Sequence, residues 1–67
     1  MIVYLNSEIK EIPEEVDTVG KLLDFFRIAR TGTGVGINNR LVMAKDWDAT
    51  RICPNDRLTV ISATFGG

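Results

Sequence analysis

The chain has 67 residues, of which 45% are hydrophobic and 25% charged, and its formal net charge at pH 7 is −1; this composition predicts a globular domain and excludes a disordered segment. One cysteine and no histidine exclude an internal disulfide, imidazole-based metal sites and histidine-activated nucleophiles. The slightly acidic balance, without a basic stripe, predicts no nucleic-acid binding, and no apolar run is long enough to cross a membrane.

The first predicted elements are two strands joined as a hairpin. Met1–Leu5 is apolar and rich in β-branched residues, and it stops at the turn-forming pair Asn6-Ser7. Glu8–Ile12 follows as the second strand. Alternation along the first strand puts Val3 and Leu5 on one face, without deciding which face of the strand is buried.

A helix is predicted after a short loop. Thr18 is a typical N-cap, and the apolar residues that follow recur at helical spacing and predict a core-facing stripe of Val19, Leu22, Leu23 and Phe26. Arg27 and Arg30 are expected in the last turn, where cations suit the helix dipole. Gly32 is expected to end the helix in the left-handed conformation.

The second half of the chain predicts three more strands. The glycine-rich stretch 31–36 lacks the lysine and the spacing of a phosphate-binding loop, so we interpret it as a flexible link into a strand at Val35–Asn38. A turn at Asn38-Asn39 leads to a strand at Leu41–Met43. The last strand is predicted at Arg57–Ala63.

Between these last two strands, Lys45–Asp48 predicts a short helical turn with Trp47 as its anchor on the core. The element order predicts an α+β fold with a mixed sheet of four to five strands and one helix packed on one face. By fold analogy, the first and last strands pair in parallel at the centre of the sheet, as in a β-grasp.

The end of the chain carries the strongest functional signal, the sequence 63–67 that closes with Gly66-Gly67. Two residues without side chains fit into a narrow active site of another protein, and the main-chain carboxylate is anionic at neutral pH. Such a carboxylate can attack a phosphorus atom of ATP and form an acyl-adenylate. Sulfur or an amine can then displace AMP from the acyl group. Two terminal glycines occur by chance in only about 0.5% of chains. We therefore predict one domain spanning 1–67 with a flexible reactive tail at 65–67.

Together these features resemble the ThiS-like sulfur-carrier family of thiamine biosynthesis, small ubiquitin-like β-grasp proteins that end in Gly-Gly. The resemblance covers the whole chain, and the segments that carry it are Met1–Asn6, Thr18-Val19, Leu22-Leu23, Val35–Asn39, Val42, Trp47, Asp56–Leu58 and Gly66-Gly67. The chain departs from the family pattern at Met43-Ala44, where Pro-Arg is frequent, and at Asn55, where Gly is frequent. Phe65 is bulkier than the residue that usually precedes the glycines.

The resemblance implies a protein substrate and carrier, not an enzyme, with no catalytic residue, bound cofactor or metal of its own. An E1-like adenylating enzyme would use ATP and magnesium to activate the carboxylate of Gly67. A persulfide-bearing donor protein would supply sulfur, and thiazole synthase would take it from the Gly67 thiocarboxylate. Thr64, Phe65 and Gly66 would serve tail and partner recognition. The first residues lack the basic region of a signal peptide, so we expect a cytoplasmic protein without membrane partners.

Three other functions stay open at this point. The small subunit of molybdopterin synthase has the same fold, tail and sulfur chemistry, although that family is usually longer and often has prolines before the tail. A ubiquitin-like modifier would instead join Gly67 to lysine side chains through isopeptide bonds. An interaction domain with an unmodified tail would not react with an adenylating enzyme at all.

Overall fold

A mixed β-sheet with one helix on its inner face makes up the fold. The structure is a computed structural model that describes residues 1–62. Within that range the elements are β1 (Ile2–Leu5), β2 (Glu8–Glu11), α1 (Val19–Phe25), β3 (Thr33–Ile37), β4 (Arg40–Val42), a 3₁₀ helix (Ala44–Ala49) and β5 (Arg57–Ser62). The strand order is β2-β1-β5-β3-β4, and β1 and β5 pair in parallel. This confirms the predicted α+β β-grasp; the predicted flexible tail lies outside the described residues.

Both hairpins turn within two residues at the positions that the sequence predicts. Asn6 and Ser7 have φ angles of 50° and 71°, and Asn38 and Asn39 have φ angles of 50° and 69°. Positive φ at both central residues is the mark of the turn that matches the twist of a two-residue hairpin, and asparagine tolerates it well.

The core lies between the inner face of the sheet and α1. Val3 and Leu5 are the residues of β1 that face it, which settles the question left open by the alternation. Trp47 is 2% exposed, and its indole Nε1 donates a hydrogen bond to the Val42 carbonyl at 3.0 Å. The predicted anchor is therefore confirmed, with the 3₁₀ helix around it. Three residues of the predicted helix stripe, Val19, Leu22 and Leu23, are buried in the core. The fourth, Phe26, is partly buried and packs against it.

The helix ends earlier than the sequence predicts. Arg27 itself takes the left-handed conformation, with φ of 59°, so Arg27 and Arg30 lie beyond α1 and Gly32 does not end it. The Ile28 N–H donates to the Leu23 carbonyl at 2.8 Å, and the Arg27 N–H donates to the Asp24 main-chain carbonyl at 3.1 Å. This is the pattern of a Schellman motif. The apolar Ile28 packs against the core, and this contact stabilises a helix end that lies before Gly32.

The predicted flexible link is wrong for residues 33–36, which belong to a strand, whereas the strand predicted from Val35 is confirmed. β3 begins at Thr33, and Gly34 and Gly36 lie inside it. Gly34 pairs with Ile61 and Gly36 with Thr59 on the central strand. A continuous ladder to the middle of the sheet thus overrides the low strand propensity of glycine.

One ion-pair network joins α1 to the 3₁₀ helix. The Arg30 guanidinium lies 3.2 Å from the Asp24 carboxylate and 3.0 Å from that of Asp48. Hydrogen bonding from Arg30 lowers the pKa of Asp48 below its ordinary value. Gly20 makes room for this contact, because a Cβ built there would lie 1.9 Å from the Asp48 Oδ1 atom.

The core assignment predicts that Leu22→Ala lowers the free energy of unfolding by about 2–5 kcal/mol, since Leu22 is 0% exposed and its loss leaves a cavity. Denaturant titration measures the change. Leu41→Ala is the control: that side chain is 76% exposed, so its removal should change stability by less than about 0.5 kcal/mol. Equal stability of Leu22→Ala and the unchanged protein would contradict the packing of α1 on the sheet.

Gly20→Ala is expected to push the Asp48 carboxylate away from Arg30, so that the pKa of Asp48 rises toward its ordinary value. Because the pKa of Asp48 is lowered in the folded protein, its pair with Arg30 stabilises the fold at pH values above the ordinary aspartate pKa. This stabilisation is lost as the pH falls through the lowered pKa. That part of the acid-induced loss should disappear in the variant. Carboxyl-carbon NMR titration measures the pKa directly.

Asp17 is the internal control for this titration. Its pKa is also lowered, chiefly by a hydrogen bond from Lys21, and this pair does not involve Asp48 or Arg30. The titration of Asp17 should be the same in both proteins. An unchanged Asp48 titration would show that the glycine is not what allows the contact.

Candidate functional site

The reactive group is predicted at Gly67, and the predicted recognition residues are Thr64, Phe65 and Gly66. All four lie outside the described residues, which end at Ser62. The described surroundings of the candidate site are therefore the end of β5 and the sheet surface next to it.

β5 is held unequally by its two neighbours. Along β3 the pairing runs from Leu58, opposite Ile37, to Ser62, opposite Thr33. Along β1 it covers only Arg57 and Leu58. The chain of β1 turns away into the first hairpin while β5 continues toward the tail.

The side chain of Asn6 continues the contact where the backbone of β1 stops. The Asn6 N–H donates to the Leu58 carbonyl at 2.9 Å, as a strand residue would. The carboxamide then reaches two residues further along β5: its Oδ1 accepts from the Val60 N–H at 2.8 Å, and its Nδ2 donates to the Val60 carbonyl at 3.1 Å. The amide of a side chain thus replaces a backbone peptide beside the last part of β5.

Sequence reasoning assigned Asn6 only to a turn and missed this contact. The pairing partner is 54 positions away in the sequence, so no local pattern contains it. The available signal was indirect. The side chain of asparagine carries both a donor and an acceptor, and Asn6 follows the end of the strand that is predicted to pair with the last strand.

The outward face of the sheet, opposite α1, carries an apolar patch next to the end of β5. We define the patch as Leu41, Met43 and Ile61, which are 76%, 54% and 68% exposed. Leu41 lies across from Gly36, and Ile61 lies across from Gly34. The two glycines therefore leave a low strip on β3 between apolar side chains of β4 and β5.

The fold itself does not require a glycine at position 34. A Cβ built there would meet nothing closer than the Ile61 carbonyl oxygen at 3.9 Å, an ordinary contact distance. A strand position that accepts a side chain but lacks one is destabilising by about 0.5–1 kcal/mol relative to alanine. At Gly36 a Cβ would lie 3.3 Å from the Arg40 carbonyl oxygen, a tight contact with backbone, so packing within the domain explains that glycine but does not explain Gly34.

At the start of β5 the outward face becomes polar. The Arg57 guanidinium lies 5.2 Å from the centroid of the Tyr4 ring, a cation–π contact on a solvent-exposed surface. Cys53 is exposed in the turn before β5, and its N–H donates to the Asp56 carboxylate at 2.7 Å. The thiol therefore stands before the beginning of β5, whereas the tail follows the end of that strand.

Residues 1–62 hold no cluster of three or more His, Cys, Asp or Glu side chains arranged for a metal ion, and no pocket. Within the same range, no helix is long and apolar enough to span a membrane.

Two solved structures share this fold over the whole chain. The first is a crystal structure of a thiamine biosynthesis protein (ThiS) from Geobacter metallireducens, with a TM-score of 0.83, 20% sequence identity and complete coverage of both chains. The second is a solution NMR structure of a thiamine biosynthesis protein from the same organism, with a TM-score of 0.81 and 20% identity, covering 100% of this chain and 88% of that one.

Comparison of sequences gives the family. No relative among curated proteins matches the chain significantly. A model of the ThiS family, however, matches residues 3–67, which is nearly the entire sequence and includes the glycine end. The chain therefore belongs to the ThiS family of small, ubiquitin-like β-grasp sulfur-carrier proteins.

Proposed function

We propose that this chain carries sulfur as a thiocarboxylate on Gly67 and donates it for synthesis of the thiazole ring of thiamine. The observation that carries the proposal is the extent of the family match, which runs to Gly67 and so includes the Gly-Gly end. The shared fold of the two Geobacter metallireducens thiamine biosynthesis proteins supports it. In this role the chain is a substrate that enzymes act upon, and it supplies no catalytic group.

The chemistry starts by making the carboxylate reactive. An oxygen of the Gly67 carboxylate attacks the α-phosphorus of ATP, a P–O bond forms, and pyrophosphate leaves with the electron pair of the broken bond. The product is an acyl-adenylate, whose AMP is a good leaving group. ATP and magnesium belong to the adenylating enzyme, where the metal neutralises charge on the phosphates.

Sulfur then replaces AMP. The terminal sulfur of a protein persulfide attacks the acyl carbon, AMP leaves, and an acyl disulfide joins the two proteins. A second protein thiolate attacks the donor-side sulfur, which gives a disulfide between the two cysteines and releases the Gly67 thiocarboxylate. Cys53, the one cysteine of this chain, lies before the start of β5 and takes no part in these steps.

The apolar patch is suited to hold the adenylating enzyme. Ile61 is the next-to-last described residue of β5, so a protein that encloses the following tail necessarily comes close to the patch. Burying exposed apolar area contributes about 25 cal/mol per Å², and interface energy concentrates in a few such side chains. Docking through the patch would leave the tail free to enter the active site, and Phe65 would add a contact there.

The proposal predicts that protein isolated from its own cells contains a form in which one carboxyl oxygen is replaced by sulfur. Intact-mass analysis and fragmentation of the C-terminal peptide measure the replacement and place it on Gly67. Deletion of Gly67 should abolish both the sulfur-bearing form and ATP–pyrophosphate exchange with the cognate adenylating enzyme, because the carboxylate is then one residue short of the reactive position.

That experiment, together with an assay of sulfur transfer, distinguishes the alternatives. A molybdopterin synthase subunit would carry the same sulfur but transfer it to a pterin, and not to the thiazole precursor. A modifier would appear as lysine-linked conjugates. Full exchange activity after deletion of Gly67 would show that the terminal carboxylate is not the reacting group.

The docking role predicts that Ile61→Ala raises the KM for the carrier in ATP–pyrophosphate exchange about tenfold, equivalent to about 1.4 kcal/mol of lost contact, with kcat unchanged. Ile9→Ala is a matched control, since Ile9 is 64% exposed on the edge strand β2. Gly34→Thr should fold at least as stably and also raise the KM, because it fills the low strip. A KM equally affected by Ile61→Ala and Ile9→Ala would remove the patch from the interface.

A further inference from the structure

The two hairpin turns use the same device to hold the central strand. Each turn begins with an asparagine at φ of 50°, and each asparagine directs its carboxamide to β5. Asn38 accepts from the Arg57 N–H at 3.0 Å and donates to the Asp56 carboxylate at 3.0 Å. Asn6 holds both backbone groups of Val60. One asparagine thus secures the start of β5, and the other secures its later part.

The two contacts differ in what they add to the sheet. At Asn38 the carboxamide accepts from Arg57, the same residue whose carbonyl already accepts from the Asn38 backbone N–H at 2.7 Å. Asn6 acts beyond the last backbone pairing of β1, which ends with its N–H on the Leu58 carbonyl. Along the β1 side, its carboxamide extends the hold on β5 to Val60, two residues before Ser62.

We propose that Asn6 is a positioning residue for the reactive tail: its carboxamide fixes the last part of β5 and so sets the point from which the tail extends. The inference rests on the proposed function of Gly67. Five residues follow Ser62, and each spans at most about 3.6 Å. With so short a reach, the carboxylate of a docked carrier arrives at the reactive position only when the strand end stays in place.

This role is separable from the role of Asn6 in the turn. Glycine accepts the positive φ of a two-residue hairpin as readily as asparagine does. Asn6→Gly therefore keeps the hairpin and removes only the carboxamide from Val60. Asn38→Gly is a matched control, because Asn38 has the same φ, makes two side-chain hydrogen bonds as Asn6 does, and acts at the opposite end of β5.

The first measurement is backbone hydrogen exchange, residue by residue. In Asn6→Gly the Val60 amide should exchange about tenfold faster than in the unchanged protein, because its N–H loses its hydrogen-bond acceptor. In Asn38→Gly the acceleration should fall on the Arg57 amide instead, with Val60 unaffected. An unchanged Val60 amide in Asn6→Gly would overturn the inference, since the contact would then hold nothing.

The second measurement separates docking from delivery in ATP–pyrophosphate exchange with the cognate adenylating enzyme. Asn6→Gly should lower kcat about tenfold, because small misplacement of a reacting group is costly, and should leave the KM for the carrier within about twofold, because the apolar patch is intact. Asn38→Gly should leave both constants within about twofold. A merely structural role would affect both variants alike.

The outcomes distinguish this inference from the function on which it rests. Exchange by the unchanged protein that is lost on deletion of Gly67, together with equal kcat for Asn6→Gly and Asn38→Gly, overturns the role of Asn6 alone. Absence of exchange with the unchanged protein overturns the proposed function, and the positioning role with it. A kcat lowered only in Asn6→Gly, with faster exchange at Val60, supports both.

Discussion

The parallel pairing of β1 with β5 places the last described strand in the middle of the sheet, and the other features of the site depend on it. β5 has β1 on one side and β3 on the other, and Leu58 is buried in the core at 1% exposure. The chain therefore enters its final segment from the most enclosed strand of the domain. The proposed reaction at Gly67 requires the chain end to arrive at a fixed place in another protein, and such a base would favour this, because motion of the last strand displaces the residues that follow it.

A second constraint follows from the size of the domain. The chain has 67 residues, and its described part, residues 1–62, has one short α-helix to cover a sheet of five strands, so one face of the sheet is packed and the other faces solvent. A domain this small buries only about 60% of the surface of its unfolded chain. The exposed Leu41, Met43 and Ile61 lie on that open face near the end of β5. The arrangement that limits the core thus leaves an apolar surface exposed near the end of β5, where the proposed docking takes place.

The sequence predicted those parts of the fold that local patterns determine. Periodicity identified the inner stripe of α1, turn chemistry placed both asparagine hairpins, and the lone Trp47 was identified as an anchor. The errors fall where distant contacts decide. Arg27 ends the helix because Ile28 packs on the core, and Gly34 is held in a strand because Ile61 stands beside it. The contact of the Asn6 carboxamide was not predicted for the same reason, because its partner Val60 is distant in the sequence. Of the candidate site, the tail stays a prediction from its glycines, whereas the patch required the sheet register.

A side chain from a turn holds the end of β5 differently from a longer β1. A β1 extended by several residues would also fix β5, but its backbone and side chains would occupy the space beside the end of β5. Because the chain turns away at Asn6, only a carboxamide stands next to Val60, and no further residue of β1 follows on that side. The strand end is held from one side by the full ladder of β3 and from the other by a group the size of a single peptide. The proposed adenylating enzyme would have to enclose two glycines, which requires both a fixed strand and room around it, and this geometry is suited to both requirements.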